Sequence, residues 1–146
     1  MKAALYKTCL ELANAKVQAL EKELAAMRDA VQSESKSTAG DKHETGRAMI
    51  HLEQEKLHQQ LVEAKLMVAE LQQVDTKPTT KIALGSLVKT KKGTFYLAAS
   101  LGKVELDATD YFVVSVKAPI AKQFLGKQAG ESANMNGMVY DILAVE

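Results

Sequence analysis

Apolar and small residues in the first third of the chain fall at Ala3, Tyr6, Leu10, Ala13, Val17, Leu20, Leu24, Met27 and Val31, with spacings of three and four residues throughout. That alternation is the seam of a coiled coil. A second run, Ile50, Leu57, Leu61, Ala64, Val68 and Leu71, repeats it with Gln54 at one polar seam position. Neither run contains proline. Between them "SESKSTAGD" is rich in residues that favour local side-chain bonding and backbone freedom over helix, so the chain turns there. Two helices of similar length joined by a short polar break pack most economically antiparallel, each covering the other's stripe.

The period changes after Leu71. "QQVDTKPTTK" reads as a linker, and short β-type runs follow: "SLVKT" and "TFYLAAS" around the turn "KKG", then "KVEL", "YFVVSV" and "MVYDILAV". One short helix is expected at "PIAKQFLG", with Pro119 in its first turn and Gly126 at its stop. The expectation is an α+β chain: an antiparallel coiled-coil hairpin over residues 1–75 with its tip near 36–45, a linker at 76–81, and a small, strongly bent β-sheet domain with one short helix at 82–146.

The totals narrow the function classes. The 146 residues are 47% hydrophobic and 25% charged, which fits folded domains. With 19 Lys and Arg against 18 Asp and Glu, the net charge of +1 gives no whole-molecule attraction to nucleic acid or an anionic membrane, so any charge-based function is local. The single cysteine, Cys9, has no intrachain disulfide partner and reads as a partly buried small helix residue. Lys7 and Glu11 interrupt what a signal peptide would need as an apolar centre, and no run reaches membrane-spanning length, so a soluble, cytoplasmic, monomeric protein is expected.

The candidate chemistry sits at the break, where Asp41 and Glu44 stand three residues apart just before the second seam. One reading is a capping box, Asp41 accepting from the amide of residue 44 and Glu44 reaching back to the amide of residue 41. The other is a pair of metal ligands, because two carboxylates are a common protein share of a Mg²⁺ shell completed by water and phosphate oxygens. Spacing alone does not separate the two. Lys36, Lys42, His43 and Arg47 surround the pair, as solvated residues or as contacts to a nucleic-acid backbone. His51, Glu55 and His58 lie along one helical face but lack the helical zinc signature, and read as a solvated stripe. Lys89, Lys91 and Lys92 form a small basic patch at the "KKG" turn, while Met49, Met67, Met135 and Met138 read as packing residues.

With these features in place, the chain resembles the Gre family of bacterial transcript-cleavage factors, over nearly its whole length. The tip "GDKHE" is similar to the family's Gly-Asp-x-x-Glu. "LGSLV" follows the linker, and "VKAPIAKQFLGKQAGE" resembles the family's Ser-Pro-Ile-Ala/Gly-x-x-Leu-x-Gly-Lys-x-x-Gly-Asp/Glu, with Ala118 in place of the Ser. The resemblance implies an FKBP-like C-terminal domain that docks on the rim of the RNA polymerase secondary channel, with Pro119, Ile120, Gly126, Lys127 and Gly130 in the docking domain. It also implies a coiled coil that enters the channel, bringing Asp41 and Glu44 to a Mg²⁺ shared with the polymerase active centre and only indirectly to nascent RNA. The factor would then be no enzyme itself, but would stimulate the polymerase's own cleavage of backtracked RNA. After Glu44 the family continues with Asn and an aromatic residue, whereas this chain has Thr45 and, at the aromatic position, Arg47. A non-cleaving channel regulator is therefore the alternative.

Two further readings compete. An FKBP-type prolyl isomerase needs an aromatic-lined pocket, whereas this chain has no Trp and only Phe95, Phe112 and Phe124, all expected in the core. An interaction module would use the hairpin only as a spacer, and would be indifferent to neutralising Asp41 and Glu44.

Overall fold

A computed structural model describes residues 1–35 and 42–146, with side chains described outside residues 34–45. Asp41 lies outside the described residues, and so does the side chain of Glu44. The chain divides into two compact units, Leu12–Leu66 and the combination of Met1–Glu11 with Met67–Glu146.

The first of these is helical. Helix α1 (Lys2–Ser35) and helix α2 (Lys42–Gln72) contain no proline and are rich in Ala, Leu, Glu, Lys and Gln, the residues that lose least on entering a helix. Leu20, Leu24, Leu57 and Ala64 are buried together, with Val17, Met27 and Leu61 packed against them. These are seam positions. Lys65 Nζ reaches Glu21 Oε1 across the pair at 3.9 Å, an exposed contact worth at most about 1 kcal/mol.

Chain length fixes the direction. If the helices ran parallel with Glu21 beside Lys65, Ser35 and Lys42 would stand about 55 Å apart. Seven peptide units bridge at most about 25 Å. The helices are therefore antiparallel, with Ser35 and Lys42 at the end of this unit farthest from Leu12 and Leu66.

The second unit carries a six-stranded sheet in the order β3-β4-β2-β1-β6-β5. Its strands are β1 (Leu87–Thr90), β2 (Gly93–Leu97), β3 (Gly102–Leu106), β4 (Thr109–Val114), β5 (Ser132–Met135) and β6 (Met138–Val145), and helix α3 (Pro119–Phe124) lies between β4 and β5 in sequence. Every neighbouring pair is antiparallel except β2 and β4, which run parallel with Tyr96 opposite Val113. Asp107 and Ala108 turn the β3–β4 hairpin, and Asn136 and Gly137 the β5–β6 hairpin, all four at positive φ as two-residue type I′ turns require. The register of β1 on β6 shifts between Lys89 and Thr90, leaving Leu143 as the extra residue of a bulge.

One sheet face, carrying Val88, Phe95, Leu97, Ala133 and Ile142, packs on Ile120, Ala121 and Phe124 of α3. Phe95 centres an aromatic group, 5.2 Å from Phe124, 5.8 Å from Tyr140 and 5.5 Å from Phe112 between ring centroids. Phe112 differs from expectation: it touches Phe95 on this face but stays 37% exposed, and it is not among the buried residues packed on α3.

On the other face Tyr96 is fully buried, and that burial, helped by nearby Cys9 and Tyr6, pushes its phenol above the ordinary value. Its hydroxyl has no hydrogen-bond partner among the described residues. Leu5, Cys9, Leu71 and Val74 are buried in this unit as well. Leu5 and Cys9 lie off the seam that the spacing marks, whereas Ala3, on it, is exposed. Cys9 is completely rather than partly buried, and burial pushes its thiol up to about 11, so it stays protonated at neutral pH. Lys2 anchors the start of α1 through its Nζ, which donates to the Lys77 carbonyl at 2.7 Å, and burial lowers its pKa against the opposing pull of Glu146 and Asp75.

Of the four methionines expected to pack, Met67 and Met135 are half-buried, but Met49 and Met138 are 67% and 47% exposed. No described helix is long and apolar enough to cross a membrane.

Candidate functional site

The acidic candidates sit where the two long helices join. Helix α2 begins at Lys42, which places Glu44 in its first turn and Asp41 immediately before it in the chain. In general, carboxylates next to a helix start are favoured by the positive end of the helix dipole. That holds for both the capping and the metal-ligand readings. The next residues whose burial is described are Gly46, half-buried, and Arg47, exposed, so the Arg47 cation faces solvent.

The second set, Pro119, Ile120, Gly126, Lys127 and Gly130, has a visible structural role. Pro119 occupies the first turn of α3, where its missing N–H costs nothing, and Ile120 is buried against the sheet. Gly126 follows the helix at φ +82°, and its N–H donates to the Ile82 carbonyl at 2.8 Å. Ile82 N–H answers by donating to the Lys127 carbonyl at 2.9 Å. This reciprocal pair ties the end of α3 to the chain entering β1. Lys127 Nζ donates to the Ser132 carbonyl at 2.7 Å, and Gly130 N–H to the Ile142 carbonyl at 2.8 Å, which together hold the segment against the β5–β6 hairpin. Phe124 stands where the quoted family pattern has Leu, and its ring fills the core.

Ala118 is the N-cap of α3, with extended φ −65° and ψ 145° and no side-chain cap bond. A serine there would have the right backbone conformation to accept from an amide of the first turn. Ala118→Ser is therefore expected to raise the unfolding free energy by about 1 kcal/mol in urea denaturation. No change, or a loss, would show that the half-buried position cannot seat the hydroxyl.

The remaining candidates are weaker as sites. His51, Glu55 and His58 are all exposed, and no group of three His, Cys, Asp or Glu residues able to hold a metal occurs among the described residues. Within the basic patch, Lys91 Nζ lies 3.5 Å from Asp141 Oδ2, and Lys92 Nζ 5.5 Å from the Tyr140 ring centroid. Asp141 is held below the usual carboxylate range first by the Ser132 hydroxyl, which donates to it at 2.7 Å, and then by Lys91 and Lys92. Much of this patch therefore serves the hairpins it sits on. Sequence periodicity gave no sign of a hollow of about 340 Å³ on the sheet, bordered by Met1, Lys89, Tyr111, Ala144 and Glu146. Residues from the chain's start, middle and end meet there, and only the topology brings them together.

No family model and no curated protein matches the sequence. Solved structures similar to the chain include GreA factor homolog 1 (Gfh1) of Thermus thermophilus, 14% identical over 94% of each chain with a TM-score of 0.35. A second structure, of the transcription factor Gfh1, is 16% identical over 90% of this chain and 93% of that one, with a TM-score of 0.36. Gfh1 of Thermus aquaticus is 18% identical over 90% of this chain and 94% of that one, with a TM-score of 0.31.

Proposed function

We propose that this chain is a Gre-like transcription elongation factor that binds bacterial RNA polymerase and presents Asp41 and Glu44 inside its secondary channel. The observation that carries the reading is positional. In sequence the "GDKHE" acids follow Ser35, the end of α1 about 35 Å along the helix axis from Leu12, and run into the first turn of the antiparallel α2. A long helical pair carrying paired carboxylates between its helices would be suited to reaching a recessed centre. The resemblance of residues 116–131 to the family's docking-domain segment supports the same partner.

Two carboxylates fit a partial share of a Mg²⁺ shell and cannot supply a whole one, so the polymerase and the RNA phosphate would provide the rest. Such a metal, when bound, supplies Lewis acidity and an activated water. Asp41 and Glu44 would be this chain's ligands to it, and Lys36, Lys42 and Arg47 would offset their mutual charge. On this reading the chain stimulates a reaction that belongs to the polymerase and does not cleave RNA alone. A second reading, a channel regulator that binds without promoting cleavage, is favoured by Thr45 and Arg47 standing where the family has Asn and an aromatic residue.

The test is a polymerase halted in a backtracked complex with Mg²⁺. Addition of this protein is expected to shorten the transcript, with Asp41→Asn and Glu44→Gln slowing the shortening by about a hundredfold while binding persists. Binding without shortening by the unaltered protein would select the regulator reading. Absence of binding would remove both.

A further inference from the structure

Helix α2 has a second seam. Ala48, Leu52, Glu55, Gln59, Val62 and Leu66 are spaced four, three, four, three and four residues apart, and all six are exposed. Leu52, Val62 and Leu66 keep 66%, 59% and 58% of their surface in contact with solvent. At about 100° per residue, Leu66 points about 180° away from Leu57, and Leu52 about 180° away from Leu61. Leu57 and Leu61 belong to the face that packs on α1. The outer stripe is therefore open along its whole length. Exposed leucines scattered singly need no explanation, whereas a heptad-spaced row about 27 Å long does.

The order of residues along the stripe points to its occupant. Read from either end it runs through two apolar positions, two polar ones and two apolar ones. Laid antiparallel on itself, it matches Ala48 with Leu66, Leu52 with Val62, and Glu55 with Gln59, then repeats those layers in mirror order. Glu55 then falls beside Gln59, Lys56 and His58 of the other copy, where its charge is answered. A parallel pairing would stack Glu55 on Glu55. A wholly apolar partner helix would cover Glu55 and Gln59 without offering them a hydrogen bond.

We propose that the outer face of α2 is a self-association surface, on which two copies of this chain pair antiparallel about a two-fold axis between Glu55 and Gln59. This goes beyond the polymerase reading and stands whether or not that reading holds. Six positions per copy make an interface smaller than the standard size, so the dimer is weak, with a dissociation constant on the order of 10–100 μM.

Analytical ultracentrifugation from about 5 μM to about 1 mM tests this, because the range brackets the expected constant. The unaltered protein is expected to shift from monomer to dimer. Leu52→Lys combined with Leu66→Lys is expected to weaken association by at least about tenfold, with helix content unchanged by circular dichroism, since both positions are solvent-exposed. Orientation is read by disulfide formation. A mixture of Ala48→Cys and Leu66→Cys proteins is expected to cross-link to each other, and neither to itself. A monomer up to the highest concentration, a dimer indifferent to the paired lysines, or self-cross-linking of the Ala48→Cys protein would each overturn the proposal.

Discussion

Replacing Phe124 by Ala is expected to lower the unfolding free energy by about 3–5 kcal/mol, read as a shift of the urea midpoint at unchanged slope. Phe124 is fully buried, and its ring sits 5.2 Å from Phe95 and 6.0 Å from Tyr140. It is also the last residue of a six-residue helix, far too short to persist on backbone hydrogen bonds alone. Removing the ring opens a cavity and loosens α3 from the sheet together. The reciprocal bonds between Ile82 and the Gly126–Lys127 segment then lose the packing that holds them in line. A loss below about 1 kcal/mol would mean that the neighbouring side chains collapse into the space, and that this aromatic group is not the centre of the core.

Gly85→Ala is the second large effect, expected to destabilise by about 3 kcal/mol or more. Gly85 lies at φ +90°, and a Cβ there would overlap the Asp75 carbonyl oxygen and come within 3.2 Å of Val74 Cγ1. Its N–H donates to the Leu97 carbonyl at 2.7 Å, so the residue cannot simply retreat. Gly102→Ala is the control, because Gly102 has φ +77° but nothing within 4 Å of its added carbon. That substitution measures the cost of the backbone conformation alone, about 1 kcal/mol. Equal losses at the two sites would show that the approach of Asp75 is not what requires glycine in "LGSLV".

The seam pattern was readable wherever a residue's burial depends on the paired helices alone: Ala13, Leu20, Leu24, Leu57 and Ala64 are buried as the spacing requires. It failed at Leu5 and Cys9, which are buried in the sheet-bearing unit, whose contacts no helical period encodes. Strands rich in β-branched and aromatic residues announced themselves. Strand β5, Ser-Ala-Asn-Met, did not, since its own residues have little preference for strand and it forms because β6 offers an edge. The parallel β2–β4 pair was invisible for the same reason, being a property of topology. At the tip, Asp41 and Glu44 were legible as a spaced acidic pair, but spacing could not separate a cap from a ligand, since the same two residues serve either end. The outer stripe of α2 was masked differently: once one seam accounts for a helix, a second on its opposite side is overlooked until burial shows it open.

The sheet imposes an order on biosynthesis. Strand β6 fills the place between β1 and β5, and the amide of Glu146 bonds back to Leu87. Residues through 146 must therefore be available before this unit can close, while the helical hairpin, built from nearby partners, can zip up as soon as residue 66 emerges. Until then Leu5 and Cys9 lack the strands that bury them, and are the stretch of the nascent chain most in need of a chaperone's shelter.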